Sequence, residues 1–253
     1  MDKLERALEK ARQQRSTESP RSSRAARPQL VDLPVSTIDI SEEQLERNRI
    51  IAYRTRSPEA DRFRILRTQV LQAMNKSGAK TLAITSPNYG DGKTTIALNL
   101  TVSIALDLKQ TVLLTDLDLR KPSMHSYLGI TPKYGLTDHL LHDVPISECI
   151  IRLPFDRMTV LPAGKLLENS SETLGTHKMA ALAQELKSRY PDRYTIYDMP
   201  PILAQDDSIA FLPHVDAVLL VLHDGVSRTS DIKRCRDALA STNVIGTVLN
   251  NCI

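Results

Sequence analysis

Apolar residues recur along the chain with two different periods. Leu4, Ala7, Leu8 and Ala11 return at helical spacing, which predicts a short amphipathic helix at the N-terminus. Residues 14–34 lose that rhythm. Ser, Arg and Pro dominate there, and so little apolar surface cannot offset the entropy of ordering, which predicts a linker. Ser57-Pro58-Glu59 then has the form of an N-cap followed by a first-turn proline. Phe63, Leu66, Val70 and Met74 fall on one face behind it, so a helix of about five turns is predicted. From Thr81 onward short continuous apolar runs take over. Residues 81–85 and 111–116 have the form of buried strands on either side of a helix over 96–108, a β-α-β unit. Further strands are predicted at 158–161, 194–197, 215–222 and 244–249, with helices near 179–189, 206–211 and 229–241. The alternation predicts an α/β fold, a three-layer sandwich whose mostly parallel central sheet binds its ligand at the carboxyl ends of the strands. Two parts are expected: an N-terminal extension over 1–56 and a core over 57–253.

Composition narrows the function classes. The 253 residues carry 33 Lys plus Arg against 30 Asp plus Glu, a net charge of +3, too near neutral for nucleic acid to be the expected main partner. Arg12, Arg15, Arg21, Arg24 and Arg27 lie in or beside the linker, where they either solvate a tether or touch acidic headgroups or RNA. Cys149, Cys235 and Cys252 show no Cys-x-x-Cys spacing, which favours a reducing compartment over a disulfide frame or zinc site. No apolar run reaches the roughly 20 residues that span a bilayer, and Met1 to Arg15 has no apolar core of a secretory signal. A cytoplasmic protein is expected.

Three segments at predicted strand ends carry chemistry. Ser86-Pro87-Asn88-Tyr89-Gly90-Asp91-Gly92-Lys93-Thr94-Thr95 lies between the first core strand and a helix and resembles a P-loop. Gly90 and Gly92 would let main-chain N–H groups approach phosphate oxygens at the positive end of the helix. Lys93 would lie over the β and γ phosphates and the Thr94 hydroxyl would coordinate magnesium. Pro87 occupies the place of the usual first glycine. After the next strand comes Leu114-Thr115-Asp116-Leu117-Asp118-Leu119-Arg120-Lys121-Pro122, in which Asp116 and Asp118 share one side of an extended segment. Two carboxylates beside a polyphosphate repel it unless a metal intervenes, so at least one is expected to face Mg²⁺, leaving the other free as a base. In Tyr194-Thr195-Ile196-Tyr197-Asp198-Met199-Pro200-Pro201, Asp198 ends an apolar strand and two prolines fix the turn after it, the form of a Walker B carboxylate. Asn250, at the end of the last strand, is placed to read an adenine edge.

Together these segments resemble the bacterial tyrosine kinases of capsule and exopolysaccharide synthesis (BY-kinases), a branch of the ParA/MinD group of P-loop ATPases. The resemblance spans about residues 57–251 and includes Gly135-Leu136-Thr137-Asp138, Leu161-Pro162-Ala163-Gly164, residues 169–174 and residues 215–221. It implies ATP and Mg²⁺ as cofactors. Asn88, Tyr89, Gly90, Asp91, Gly92, Lys93, Thr94, Thr95 and Asn250 would bind nucleotide; Thr94, Asp116 and Asp198 would hold the metal. Asp118 would take the proton of a tyrosine hydroxyl, and Arg120 would stabilise charge nearby. The family's ring-building helix motif E-x-x-R-x-x-R corresponds to Asp61, Arg64 and Arg67, with Asp one methylene shorter than Glu. A homo-oligomer (ring or dimer), a transmembrane polysaccharide co-polymerase as activator, a protein tyrosine substrate and a place at the inner face of the cytoplasmic membrane are implied with it.

The chain departs from the family pattern in lacking a tyrosine-rich segment near Asn250-Asn251-Cys252-Ile253. Tyr53 is the tyrosine expected in a flexible, presentable segment. The N-terminal stretch Leu-Glu-Arg-Ala-Leu-Glu-Lys-Ala also resembles the variant of the family found with PEP-CTERM/exosortase loci. Three functions compete: a protein-tyrosine kinase, a ParA/MinD-like ATPase switch, and a noncatalytic nucleotide-binding regulator of polysaccharide export. Asn88 stands where the switch ATPases carry a signature lysine, which disfavours the second.

Overall fold

A computed structural model of the chain describes residues 38–107 and 109–252. The predicted N-terminal helix and the linker with its arginines lie outside the described residues. In chain order the elements are α1 (Glu42–Arg47), α2 (Pro58–Ser77), β1 (Thr81–Thr85), α3 (Lys93–Ala105), β2 (Thr111–Asp116), α4 (Met124–Leu128), α5 (Leu136–His142) and α6 (Ile146–Cys149). β3 (Ile151–Arg152), β4 (Met158–Leu161), α7 (Ser170–Leu174), α8 (His177–Ser188), β5 (Arg193–Asp198), α9 (Asp207–Phe211), β6 (Ala217–His223), α10 (Thr229–Ala238) and β7 (Val244–Asn250) follow.

The strands form one seven-stranded sheet in the order β3-β4-β2-β5-β1-β6-β7, parallel throughout except for the β3–β4 pair. Every residue of β1 and β5 is buried, because helices cover both faces and leave no polar alternation. The period of two sorts side chains between two cores. Leu82 and Ile84 of β1 and Val112 and Leu114 of β2 join α2 and α3 on one side. Ala83 and Leu113 join Leu136, Met179, Leu182 and Cys235 of α5, α8 and α10 on the other. α3 is buried on almost its whole circumference, as expected of a helix that is apolar on all sides and wedged between sheet and α2.

α2 begins as predicted. The Ser57 hydroxyl accepts from Ala60 N, Pro58 opens the helix, and Gly78 closes it in the left-handed region at φ +72°. α3 starts three residues before the predicted 96, since its first turn belongs to the phosphate-type loop itself, and α10 stops three residues before the predicted 241. The short pieces α1, α4, α5, α6, α7 and β3 carry too few residues to show a period along the sequence.

Residues 38–56, expected to belong to the extension, pack on the core instead. Leu45, Ile50 and Ala52 are buried within it, and the buried Asn99 of α3 accepts from Ile51 N and Ala52 N. Tyr53 is therefore not on a flexible segment: it is half-buried and its ring lies 6.4 Å from that of Phe155. In α2, Asp61 pairs with Arg64 on its own helix, Arg64 also donates to the Arg54 and Thr55 carbonyls, and Arg67 donates to Ser103 O at 2.9 Å. These side chains have partners inside one protomer, so any oligomer contact through them exchanges bonds instead of adding them.

Several motif residues turn out to be scaffolding. The Gly135 and Leu161 segments bind each other, Leu136 N to Pro162 O at 2.8 Å and Thr137 N to Ala163 O at 2.9 Å. Asp216 accepts from Lys80 N and Thr81 N at 2.9 and 3.1 Å and pairs with Lys187, so one carboxylate joins the starts of β1 and β6 to α8. Burial works against that charge, but these partners outweigh it and hold Asp216 below the usual carboxylate range.

Candidate active site

β1, β2 and β5 are neighbours and parallel, so their carboxyl ends deliver three loops to one edge. Register does the rest: Ile84 and Asp116 are both Cα partners of Asp198. The loop after β1 turns through Gly90 and Gly92, at φ +85° and +93°, a region where a side chain is strained. A Cβ on Gly92 would also meet Asn250 Nδ2 at 2.1 Å. Gly92→Ala is expected to lower the thermal midpoint and weaken nucleotide binding together, from about 1–2 kcal/mol of backbone strain plus displacement of Asn250; an unchanged melting curve would show that the loop tolerates the methyl.

Asp91 and Asn250 hold the loop in shape. Asp91 Oδ2 accepts from Asn88 N at 2.8 Å, and Asn250 Nδ2 donates to Asp91 O at 2.9 Å. The predicted adenine reader thus commits its amide N–H to the loop, although Asn250 still lines the cavity. Burial pushes the Asp91 carboxyl up, against the opposing bond from Asn88.

Lys93 opens α3 almost fully buried, and its Nζ lies 3.1 Å from Asp118 Oδ2, 3.9 Å from Asp198 Oδ1 and 3.4 Å from Thr94 Oγ1. Burial opposes its charge, but Asp198, Asp118 and Asp116 outweigh burial and raise its pKa. Asp116 differs from its expected part. Oδ1 accepts from Asp118 N at 3.1 Å, and Oδ2 accepts from Ser123 N and Met124 N at 3.3 and 3.2 Å. Its oxygens shape the 116–124 loop and aim Asp118. Burial first, then Asp198, pushes its carboxyl up to about 7. Asp198 is fully buried, and neither of its oxygens has a partner at hydrogen-bond geometry among the described residues. Burial raises its pKa, with Lys93 and the neighbouring Thr94 hydroxyl opposing. A buried carboxylate with two open oxygens is a costly arrangement that a hard cation relieves.

Arg120 is directed elsewhere. Nε donates to Ser170 Oγ at 2.8 Å, and Nη2 lies 3.2 Å from Asp206 Oδ1 and 3.3 Å from Asp207 Oδ1. It ties the loop after β2 to α7 and α9.

A cavity of about 520 Å³ opens over this edge. Of the predicted residues, Tyr89, Gly90, Gly92, Lys93, Thr94, Thr95, Asp118 and Asn250 line it, while Asn88, Asp91, Asp116, Arg120 and Asp198 do not. Sequence reasoning misses other lining residues. Lys121 sits inside a motif already singled out, with Nζ 4.4 Å from the centre of the Tyr89 ring. Arg47, Asn48, Arg49 and Tyr127 have no local pattern to mark them.

Residues 79–227 match the family described as AAA domain. Tyrosine-protein kinase YwqD of Bacillus subtilis (strain 168) is 31% identical over 209 residues, which cover 82% of this chain and 87% of that protein. The chain belongs to the bacterial tyrosine-protein kinases. Some relatives are much longer: the match to tyrosine-protein kinase wzc of Salmonella typhi, 31% identical, covers 68% of this chain and 23% of that protein. Among solved structures, the chimerical protein CapA2B2 is similar with a TM-score of 0.75 at 27% identity, over 86% of this chain and 93% of that one. The cell-division ATPase MinD of Pyrococcus furiosus is similar with a TM-score of 0.57 at 26% identity, over 68% and 71% of the two chains. The expected P-loop sandwich of ParA/MinD type is thereby borne out, and the tyrosine-kinase family with it.

Proposed function

We propose that this chain transfers the γ-phosphoryl group of ATP to a protein tyrosine, and that the reaction regulates synthesis or export of an extracellular polysaccharide. One observation carries the reading: Lys93, Asp118 and Asp198 meet at the mouth of a glycine loop that opens a helix, with Asp198 carrying two open oxygens. Helix end, loop N–H groups and Lys93 suit a phosphate chain. The oxygen-only donor set of Thr94 and Asp198 fits Mg²⁺, which when bound would neutralise charge on the phosphates. Among the described residues no group of three or more His, Cys, Asp or Glu is arranged to hold a metal. Phosphate oxygens and water would complete the coordination of an ion held by Thr94 and Asp198. Asp116, its oxygens taken by backbone N–H groups, fits a supporting part better than direct ligation.

The charges suggest the order of events. Asp118 is the ion-pair partner of Lys93. Phosphate oxygens compete for the ammonium, and Asp118 is then free to accept the tyrosine hydroxyl proton as that oxygen attacks the γ-phosphorus and ADP leaves. A homo-oligomer, an activating membrane co-polymerase and peripheral association with the inner membrane face complete the proposal. A succinoglycan biosynthesis transport protein of Rhizobium meliloti among the relatives supports the pathway class. Among the described residues no helix is long and apolar enough to cross a membrane. The test is mass-spectrometric mapping of phosphotyrosine after incubation with ATP and Mg²⁺. Phosphotyrosine that disappears in Lys93→Met is expected; free phosphate alone would overturn the kinase assignment.

A further inference from the structure

Residues 47–49 line the cavity, and one buried amide fastens the segment 49–52 that they begin. Asn99 lies on α3, two turns beyond Lys93, with no exposed surface. Its Oδ1 accepts from Ile51 N and Ala52 N at 2.8 and 3.0 Å, and its Nδ2 donates to Arg49 O at 2.8 Å and Thr95 O at 2.9 Å. A single nitrogen therefore holds the main chain of Arg49 beside that of Thr95, the last residue of the glycine loop. The other end of the segment is tied to α4: Asn48 Nδ2 donates to Tyr127 O at 2.8 Å, and Gln44 Nε2 donates to Ser126 O at 3.0 Å.

Between these two anchors Arg49 adopts φ +56°, a left-handed conformation unfavourable for a residue with a long side chain and one that persists only where neighbours impose it. Its side chain is exposed, has no ion-pair partner among the described residues, and lines the cavity alongside Thr95, Asn250 and Asn251. Arg47, from the same segment, lines it too. An exposed guanidinium without an ion-pair partner among the described residues, on a cavity that the glycine loop also lines, suits an anion that touches both.

We infer that Arg49 is a second cationic contact for the phosphate chain of the nucleotide, on the Thr95 side of the loop, and that Asn99 is the positioning residue that places it. This rests on the nucleotide-binding reading above. Lys93 then serves the phosphates from the start of α3 and Arg49 from the segment beside Thr95, so that residues far apart in sequence close on one ligand.

The test is titration of the purified 253-residue chain with ADP and with an unhydrolysable ATP analogue in the presence of Mg²⁺, by calorimetry, for the wild type, Arg49→Ala, Arg49→Lys, Asn99→Ala and the double alanine variant. Arg49→Ala is expected to weaken both nucleotides about tenfold, and Arg49→Lys to recover part of that loss. Asn99→Ala should lose a similar factor, and the double variant no more than the larger single loss, since the two residues act as one unit. Equal affinity of wild type and Arg49→Ala would overturn the inference while leaving nucleotide binding intact. Independent, multiplying losses in the double variant would overturn the positioning part. A wild type that binds neither nucleotide would instead bring down the reading beneath it. Should Asn99→Ala fail to fold, the two Arg49 variants still decide the contact.

Discussion

Lys93→Met abolishes phosphotyrosine formation and weakens ADP binding by at least tenfold, the largest effect expected of any single substitution in this protein. The ammonium is the one cation within 4 Å of both Asp118 and Asp198 among the described residues, at 3.1 and 3.9 Å. Its loss removes charge-assisted bonds to phosphate worth about 1.5–3 kcal/mol in binding. It also leaves two buried carboxylates facing each other, and breaking a buried ion pair by deleting one partner costs about 3–5 kcal/mol. Methionine matches the length of the lysine stem without its charge, so packing along α3 is kept and the loss reports the ammonium. Calorimetric titration with ADP, a melting curve and phosphotyrosine detection check the three parts separately. Full phosphotransfer by Lys93→Met would place the phosphates somewhere other than the glycine loop.

Asp118→Asn separates chemistry from binding. The carboxylate is buried, lines the cavity and pairs with Lys93; its backbone N donates to Asp116, and its Oδ1 accepts from Lys121 N at 3.2 Å, a bond the amide oxygen of asparagine can keep, so the loop is expected to hold its shape. Phosphotransfer is expected to fall about 10²- to 10⁴-fold, the usual contribution of a positioned base. Nucleotide affinity should hold or improve, because Lys93 no longer has that carboxylate to release before it meets phosphate. The pair of measurements is initial phosphotyrosine rate and ADP dissociation constant. A parallel loss in both would make Asp118 a binding group or a metal ligand instead of the proton acceptor.

Wherever local pattern and function coincide, the amino-acid order is legible on its own. Glycines with a lysine between a buried strand and a helix leave few other folds, because phosphate binding needs bare backbone at a helix start. An apolar strand ending in Asp198 and two prolines is similarly local. The spacing of Arg120 from Asp118 says nothing about which way its guanidinium turns; Ser170 and Asp206, 50 and 86 residues away, decide that. Asn250 lines the cavity while one of its amide N–H groups bonds the loop, a contact with Asp91 that its place in the chain does not announce. Tyr53 lies in a stretch without strong periodicity, which looks unanchored along the chain although the Asn99 amide receives its neighbours.

By itself the amino-acid order determined the alternating strands and helices, the glycine loop and the three aspartates at strand ends, since each depends on residues within one or two turns of each other. The tertiary structure alone decided that Asp116 serves the loop while Asp198 is left open, and that residues 47–49 wall the cavity. Hydrogen bonds and burial between distant segments set those outcomes, and neither leaves a periodic trace along the chain.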